Sequence, residues 1–224
     1  MVIPIRLKTS NAYLIKGSKP VLVDTGSPHE TPAIMKALEE HRIRPADLSL
    51  ILHTHGHSDH CGNTCELKQL SRAPTAIHQA DAHMLSRGIN DPLIATSSMA
   101  KLIRPFVNRP FAGVEADIVI EREMDLDAYG IQGRIVFTPG HTSGSISIIV
   151  EDEAIVGDLM MGGYVGGMFC PGHPSYHYFA DDIAGVRSSI RKILDYSPTR
   201  IYVGHGGPLK TRDVVQRFSG ETES

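Results

Sequence analysis

From Leu48 to Asn63 the chain reads LSLILHTHGHSDHCGN, and no other stretch constrains the fold as much. Its first half is apolar enough for a buried strand. Gly56 then breaks the run, so His55, His57, Asp59 and His60 fall on a tight turn that opens a helix. Four histidines and an aspartate stand within the eight residues from His53 to His60. Neutral imidazole and carboxylate are the usual protein ligands of zinc and iron. Two histidines separated by one residue, His55 and His57, can converge on one ion. Asp59 and His60, turned away by the start of the helix, can serve a second ion close by. His53 also alternates with His55 and His57, but only the register that starts at Thr54 supplies the Asp-His pair, so His53 is read as a strand residue facing elsewhere.

The rest of the chain limits what such a cluster can act on. Its 224 residues suffice for a sizeable core, and residues 1–224 are expected to form a single domain. Hydrophobic residues make up 41% and charged residues 21%, as in ordinary globular proteins. No segment approaches the roughly 20 apolar residues of a bilayer span, and the opening MVIPIRLKTS lacks the regions of a secretory signal. A cytoplasmic protein that does not engage membranes is expected. Cys61, Cys65 and Cys170 are an odd number in a chain too large to need disulfides; Cys61 and Cys65 are spaced to share a helix face and are read as small core residues. The formal charge of −3, without a Lys/Arg run, offers no footprint for nucleic acid. A small-molecule substrate is the expectation that remains. A homodimer formed through the lid described below is compatible with the sequence, although nothing in it argues for one.

Apolar, β-branched runs punctuated by Gly, Pro and Asp recur along the chain: VIPIRL, AYLIKG, PVLVDTG, LSLILHT, PTAIH, ADIVIE, GRIVFTPG, SISIIVED, EAIVGD and RIYVGHG. These predict strands. Between them, 29–41, 60–70 and 179–194 carry apolar residues at helical spacing. Interspersed strands and helices predict an α/β fold: a four-layer αββα sandwich of two mixed sheets flanked by helices. Residues 81–115 lack a clean strand period and are expected to form a helical lid or insertion. Residues 160–178, rich in Gly, Pro, Met and aromatics, read as a second irregular piece, and loops of that length are often functional.

Three later strand ends carry further candidate ligands: His141 in TPGHTSGS, Asp158 in IVGD and His205 in YVGHGGP. Each follows a β-rich run and abuts a glycine, which lets the chain turn sharply and present a side chain at the sheet edge. Together with THGHSDH and with Asp24 in VLVDTG, these motifs, in this order over most of the chain, resemble the metallo-β-lactamase superfamily. The resemblance implies that His55, His57 and His141 bind a first metal, that Asp59, His60 and His205 bind a second, and that Asp158 bridges them. It implies two divalent ions, zinc by default, with iron and manganese compatible with the same mixed set. Asp24 is expected to orient a ligand imidazole, a support that metal sites commonly need.

Two such ions activate water and polarise a carbonyl. The expected activity is therefore dinuclear metal-dependent hydrolysis, a metal-bound hydroxide attacking a thioester or ester/lactone carbonyl while Asp59 takes or relays a proton. No G-x-S-x-G elbow or P-loop competes with this reading. The histidine at position 60 resembles the glyoxalase II, lactonase and tRNA-processing branches and moves penicillin hydrolysis down. Glyoxalase II enzymes add a C-terminal helical region that grips glutathione, and here 19 residues follow His205. Lactonases of acyl-homoserine-lactone type place a tyrosine where this chain has Met161. A further relative, the mono-iron persulfide dioxygenase, would use the first-motif histidines, the later histidine and Asp158 alone. Substrate contacts are expected from the irregular segments, with Tyr164 and His177 the candidates after Asp158.

Overall fold

The first apolar runs fold as an antiparallel meander of β1 (Val2–Arg6), β2 (Asn11–Lys16) and β3 (Pro20–Val23), with Val2 opposite Ile15 and Tyr13 opposite Val23. The chain leaves through α1 (Thr31–Glu40) and returns as β4 (Leu50–Leu52), parallel to β3. Two short helices, α2 (Ser58–Cys61) and α3 (Thr64–Ser71), cross to β5 (Thr75–His78). Then α4 (Ala82–Arg87) and α5 (Ser98–Val107) lead to β6 (Ile118–Ile120). Strands β3 to β6 are mutually parallel, so their carboxyl ends share one edge of a sheet ordered β1-β2-β3-β4-β5-β6. This computed structural model describes residues 1–221; the last three of the expected 1–224 domain lie outside the described residues.

The second half builds a second sheet. Strands β7 (Met124–Asp125), β8 (Gly133–Phe137), β9 (Ile146–Val150) and β10 (Glu153–Ile155) pair antiparallel in sequence. A separate hairpin, β11 (Met161–Tyr164) and β12 (Phe169–Ser175), follows. Helix α6 (Ile183–Asp195) then carries the chain to β13 (Arg200–Tyr202), parallel to β10, before the edge strand β14 (Leu209–Lys210) and α7 (Thr211–Phe218). The order is β14-β13-β10-β9-β8-β7.

Side-chain alternation along the strands separates three apolar layers. Tyr13, Ile15, Val21, Val23 and Leu52 of the first sheet meet Ile135, Ile146, Ile148 and Ile155 of the second. On the first sheet's outer face Leu14, Leu22 and Ile51 pack against Ile34 and Leu38 of α1 and Leu67 of α3. On the second sheet's outer face Val136, Ile149 and Ile201 pack against Val186, Ile190 and Ile193 of α6 and Phe218 of α7. Each such buried Leu, Ile or Phe contributes about 1.5–3 kcal/mol. The result is the expected α/β/β/α arrangement, with two mixed sheets face to face.

Local details depart from the sequence reading. The helix expected over 60–70 splits at Gly62, where a Cβ would stand 2.4 Å from the Pro28 nitrogen. Cys61 and Cys65 therefore lie on different helices, Cys61 buried with its thiol donating to the His55 carbonyl at 3.3 Å and Cys65 half-buried. Within 160–178, expected to be irregular, residues 161–175 form a bulged hairpin. Its glycines hid it, because they let the strand backbone pack directly on the 205–207 turn: Gly162 N–H donates to the His205 carbonyl at 2.8 Å, and a Cβ on Gly162 would meet the Gly207 nitrogen at 2.4 Å. Residues 81–115 hold α4 and α5 and dock through Leu93 and Ala100 onto Phe179. Among the described residues no helix is long and apolar enough to cross a membrane.

Candidate metal centre

Parallel strands bring the candidate ligands together. The carboxyl ends of β3 and β4 deliver Asp24 and the 54–60 turn, the β8–β9 connection delivers His141, and the carboxyl ends of β10 and β13 deliver Asp158 and His205. All seven predicted donors and Asp24 meet at this edge. The centre is Asp158 Oδ2, which has His205 Nε2 at 3.3 Å, His60 Nε2 at 3.4 Å, His141 Nε2 at 3.6 Å and His55 Nε2 at 3.8 Å. His57 presents Nδ1 to His141 Nε2 at 3.0 Å. Asp59 Oδ2 lies 3.3 Å from His205 Nε2 and 3.9 Å from His60 Nε2. Among the described residues four overlapping three-donor groups have donor atoms within 4.8 Å of one another, and two of them, His55/His57/His141 and Asp59/His60/His205, share no residue. Of the seven side chains only that of Asp59, 28% exposed, faces appreciably outward.

Hydrogen bonds behind the rings determine which nitrogen faces in. A carbonyl can only accept, so His141 Nδ1–H donates to Phe179 O at 2.8 Å and His205 Nδ1–H donates to Thr9 O at 2.6 Å. His60 Nδ1–H donates to Asp24 Oδ2 at 2.9 Å. The Thr54 hydroxyl also donates to Asp24 Oδ2, at 2.8 Å, which leaves its oxygen to accept from His55 Nδ1–H at 3.0 Å. All four rings thereby keep a proton on Nδ1 behind the site and turn Nε2 inward. This is the arrangement that holds metal-ligating histidines. His53 lies outside it: its Nε2 pairs with the Thr64 hydroxyl at 3.1 Å, on the far side of Asp24.

A cation fits this donor set. Among the described residues His55 Nε2, His60 Nε2 and Asp158 Oδ1 are buried polar atoms with no hydrogen-bond partner, and such atoms are costly unless something satisfies them. Burial and neighbouring imidazoles push His55 and His141 well below their ordinary value, and burial pushes His57 down to about 4. These three rings are neutral at neutral pH, as ligands must be. In the other group burial is outweighed: Asp158 and Asp59 hold His205 up at about 10 and, with Asp24, hold His60 well above its ordinary value. That field favours positive charge, and a dication bound at the same point would take the place of the protons.

A model of the metallo-β-lactamase superfamily matches residues 5–205. The chain belongs to that superfamily. A probable metallo-hydrolase of Methanocaldococcus jannaschii is 32% identical over 202 residues, 88% of each chain. Metallo-β-lactamase domain-containing protein 1 of Xenopus laevis is 28% identical over 216 residues, covering 94% of this chain and 76% of that protein. Among solved structures, the BLEG-1 B3 metallo-β-lactamase superposes with a TM-score of 0.72 at 22% identity, covering 96% of this chain and 97% of the other. A protein solved in a di-iron-bound form gives 0.65 at 24% identity, covering 94% and 96%. At such identities the likeness is one of fold.

The superfamily motifs do not account for every group at this edge. Tyr164, a candidate substrate contact, stands apart from the donors: it is half-exposed on β11, stacks on His173 at 5.6 Å and lines a cavity of about 370 Å3 with Thr96, Tyr176 and Tyr178. His177, the other candidate, lies inside the cluster, its Nε2 3.3 Å from Asp158 Oδ2. Two supports escaped the sequence reading. Asp81, fully buried, accepts from Gly56 N–H at 2.9 Å, the Thr142 hydroxyl at 2.7 Å and Gly144 N–H at 3.0 Å, tying the first-motif turn to the His141 loop. Asn90 accepts from Ser58 N–H at 2.7 Å. Both lie within 81–115, where no periodic pattern marks them.

Proposed function

We propose that the chain is a dinuclear metal-dependent hydrolase acting on the thioester or ester/lactone carbonyl of a small molecule, in the manner of a hydroxyacylglutathione hydrolase. The observation that carries this reading is the presence of two complete three-donor groups on either side of one buried carboxylate. His55, His57 and His141 would hold one ion, Asp59, His60 and His205 the other, with Asp158 between them. Bound there, two divalent cations polarise a carbonyl as Lewis acids and bring the pKa of water towards neutrality. The superfamily consists mostly of metal-dependent hydrolases, and zinc, iron and manganese all suit this mixed set; the di-iron form of one fold neighbour keeps iron beside zinc.

The chain's own residues divide the remaining work. Asp59 is placed to take or relay a proton: although burial opposes ionisation, His60 and His205 lower its pKa and keep it charged, and of the carboxylates in the cluster it is the most exposed. Asp24 keeps two imidazoles in the binding tautomer. The Met99–Phe106 face of α5 and the β11–β12 hairpin expose apolar side chains, and Tyr164 of that hairpin, which lines a cavity with Thr96 and Ser97, is placed for the part of a substrate away from the reacting carbonyl.

Elemental analysis of purified protein, followed by a panel of thioesters, lactones, phosphodiesters and a cephalosporin, tests the reading. The expected result is two ions per chain and hydrolysis of a thioester or lactone, both abolished in Asp158→Ala. One iron per chain with oxygen consumption on glutathione persulfide would replace the hydrolase by a dioxygenase. Full hydrolysis by metal-free Asp158→Ala would refute the mechanism outright.

A further inference from the structure

We infer that His177 is an eighth protein donor of the metal centre, ligating through Nε2 the ion held at His141 and Asp158. The inference rests on the dinuclear reading above and deepens it. His177 follows the β11–β12 hairpin and belongs to none of the strand-end motifs. Even so, its Nε2 stands 3.3 Å from Asp158 Oδ2, as close as that of His205 and closer than those of His55 and His141. The donor atoms of His141, Asp158 and His177 form a three-membered group within 4.8 Å, the same spacing as in the two groups already described.

One carbonyl orients both His141 and His177. Phe179 O accepts from His141 Nδ1–H at 2.8 Å and lies 3.1 Å from His177 Nδ1, so the same oxygen turns both Nε2 lone pairs towards Asp158. The ring of His177 meets that of His141 edge to face, centroids 4.6 Å apart at 86°. His55 and His141 meet in nearly the same way, at 4.7 Å and 90°. Phe179 N–H also points at His177 Nδ1, at 3.3 Å. Were that contact to prevail, Nδ1 would accept, Nε2 would carry the hydrogen, and His177 would only donate to Asp158. The shorter contact to the carbonyl favours the ligating tautomer.

The two tautomers differ in a readout independent of turnover. Wild type, His177→Ala and His177→Gln are stripped of metal, titrated with Co2+ and read by the visible d–d absorption and by competition with a chromophoric chelator. Thermal melting of the metal-free proteins checks that each variant is folded. With His177 as a ligand, both variants still take up two ions, but one ion is held at least about tenfold more weakly, and the d–d band intensifies because one ion loses a donor. Unchanged affinities and an unchanged spectrum in either folded variant, beside a wild type that binds two ions and a His141→Ala that loses one, would overturn the eighth ligand and leave the dinuclear centre standing. A wild type that takes up no Co2+ would overturn both.

Discussion

Asp24→Asn separates the support of the ligands from the ligands themselves. Asp24 Oδ1 accepts from Thr54 N–H at 2.8 Å, and Oδ2 accepts from the Thr54 hydroxyl at 2.8 Å and from His60 Nδ1–H at 2.9 Å. The backbone at Asp24 has φ 60°, a region asparagine tolerates, so the substitution does not strain the turn. Asparagine keeps one oxygen for Thr54 N–H and sets an amide NH2 against the two donors that met Oδ2. His60 loses its acceptor directly. His55 loses its own through Thr54, whose hydroxyl no longer has a reason to point away from it. Loss of such a partner lowers metal affinity about 10–100-fold, or about 1.4–2.7 kcal/mol, and here both ions should be affected. Thr54→Val removes only the His55 branch and should weaken one ion. Chelator competition at fixed pH reads both constants. Wild-type affinities in Asp24→Asn, or equal weakening of both ions by Thr54→Val, would show that the proton chain does not set the tautomers.

Gly204→Ala places a methyl 1.9 Å from Asp158 Oδ1 and 2.8 Å from His60 Cε1, so metal content should fall sharply while circular dichroism stays native; normal metal content would contradict the packing. Asp81→Ala orphans two backbone N–H groups and one hydroxyl and should cost about 3 kcal/mol or more in urea unfolding; a loss below ~1 kcal/mol would mean that the two loops hold without it. In chelator, the fold should weaken as pH falls. Burial pushes His53 and His57 to about 4 against an ordinary 6.5, so between those values the unfolded chain binds protons that the folded chain refuses. Each imidazole then removes up to about 3 kcal/mol by the lower end of the window. His205, raised to about 10, is protonated in both states over that range and adds no slope; its contribution disappears only as pH rises through 10. Metal-free protein with equal urea midpoints at pH 7 and pH 5 would contradict this.

How far each part of the centre was legible in the sequence depends on whether a strand delivers it. Asp158 and His205 end β10 and β13, which are parallel neighbours, so a glycine after an apolar run was enough to mark both, and parallel pairing brought their side chains to one point. The 54–60 turn follows β4 for the same reason, and the two-sheet layering followed from runs long enough to show alternation. Two-residue strands such as β7 and β14 are too short to carry any period. The hairpin was hidden by different physics. Residues 169–173 of β12 are exposed, so no buried face imposes an alternating pattern, and the glycines at 162 and 163 answer a backbone contact that only the folded chain contains. His177 inherits this invisibility, because its orientation is set by the Phe179 carbonyl, which the docking of Phe179 on Leu93 and Ala100 holds in place. A ligand positioned by a strand end leaves a motif, whereas one positioned by tertiary packing leaves only its residue type. The contribution of His177 is therefore to be found by titrating metal into variants, and Leu93→Ala, which loosens the seat of Phe179 without touching a donor, should reproduce part of the His177→Ala loss in metal affinity; wild-type affinity in a folded Leu93→Ala protein would show that the carbonyl is held by other means.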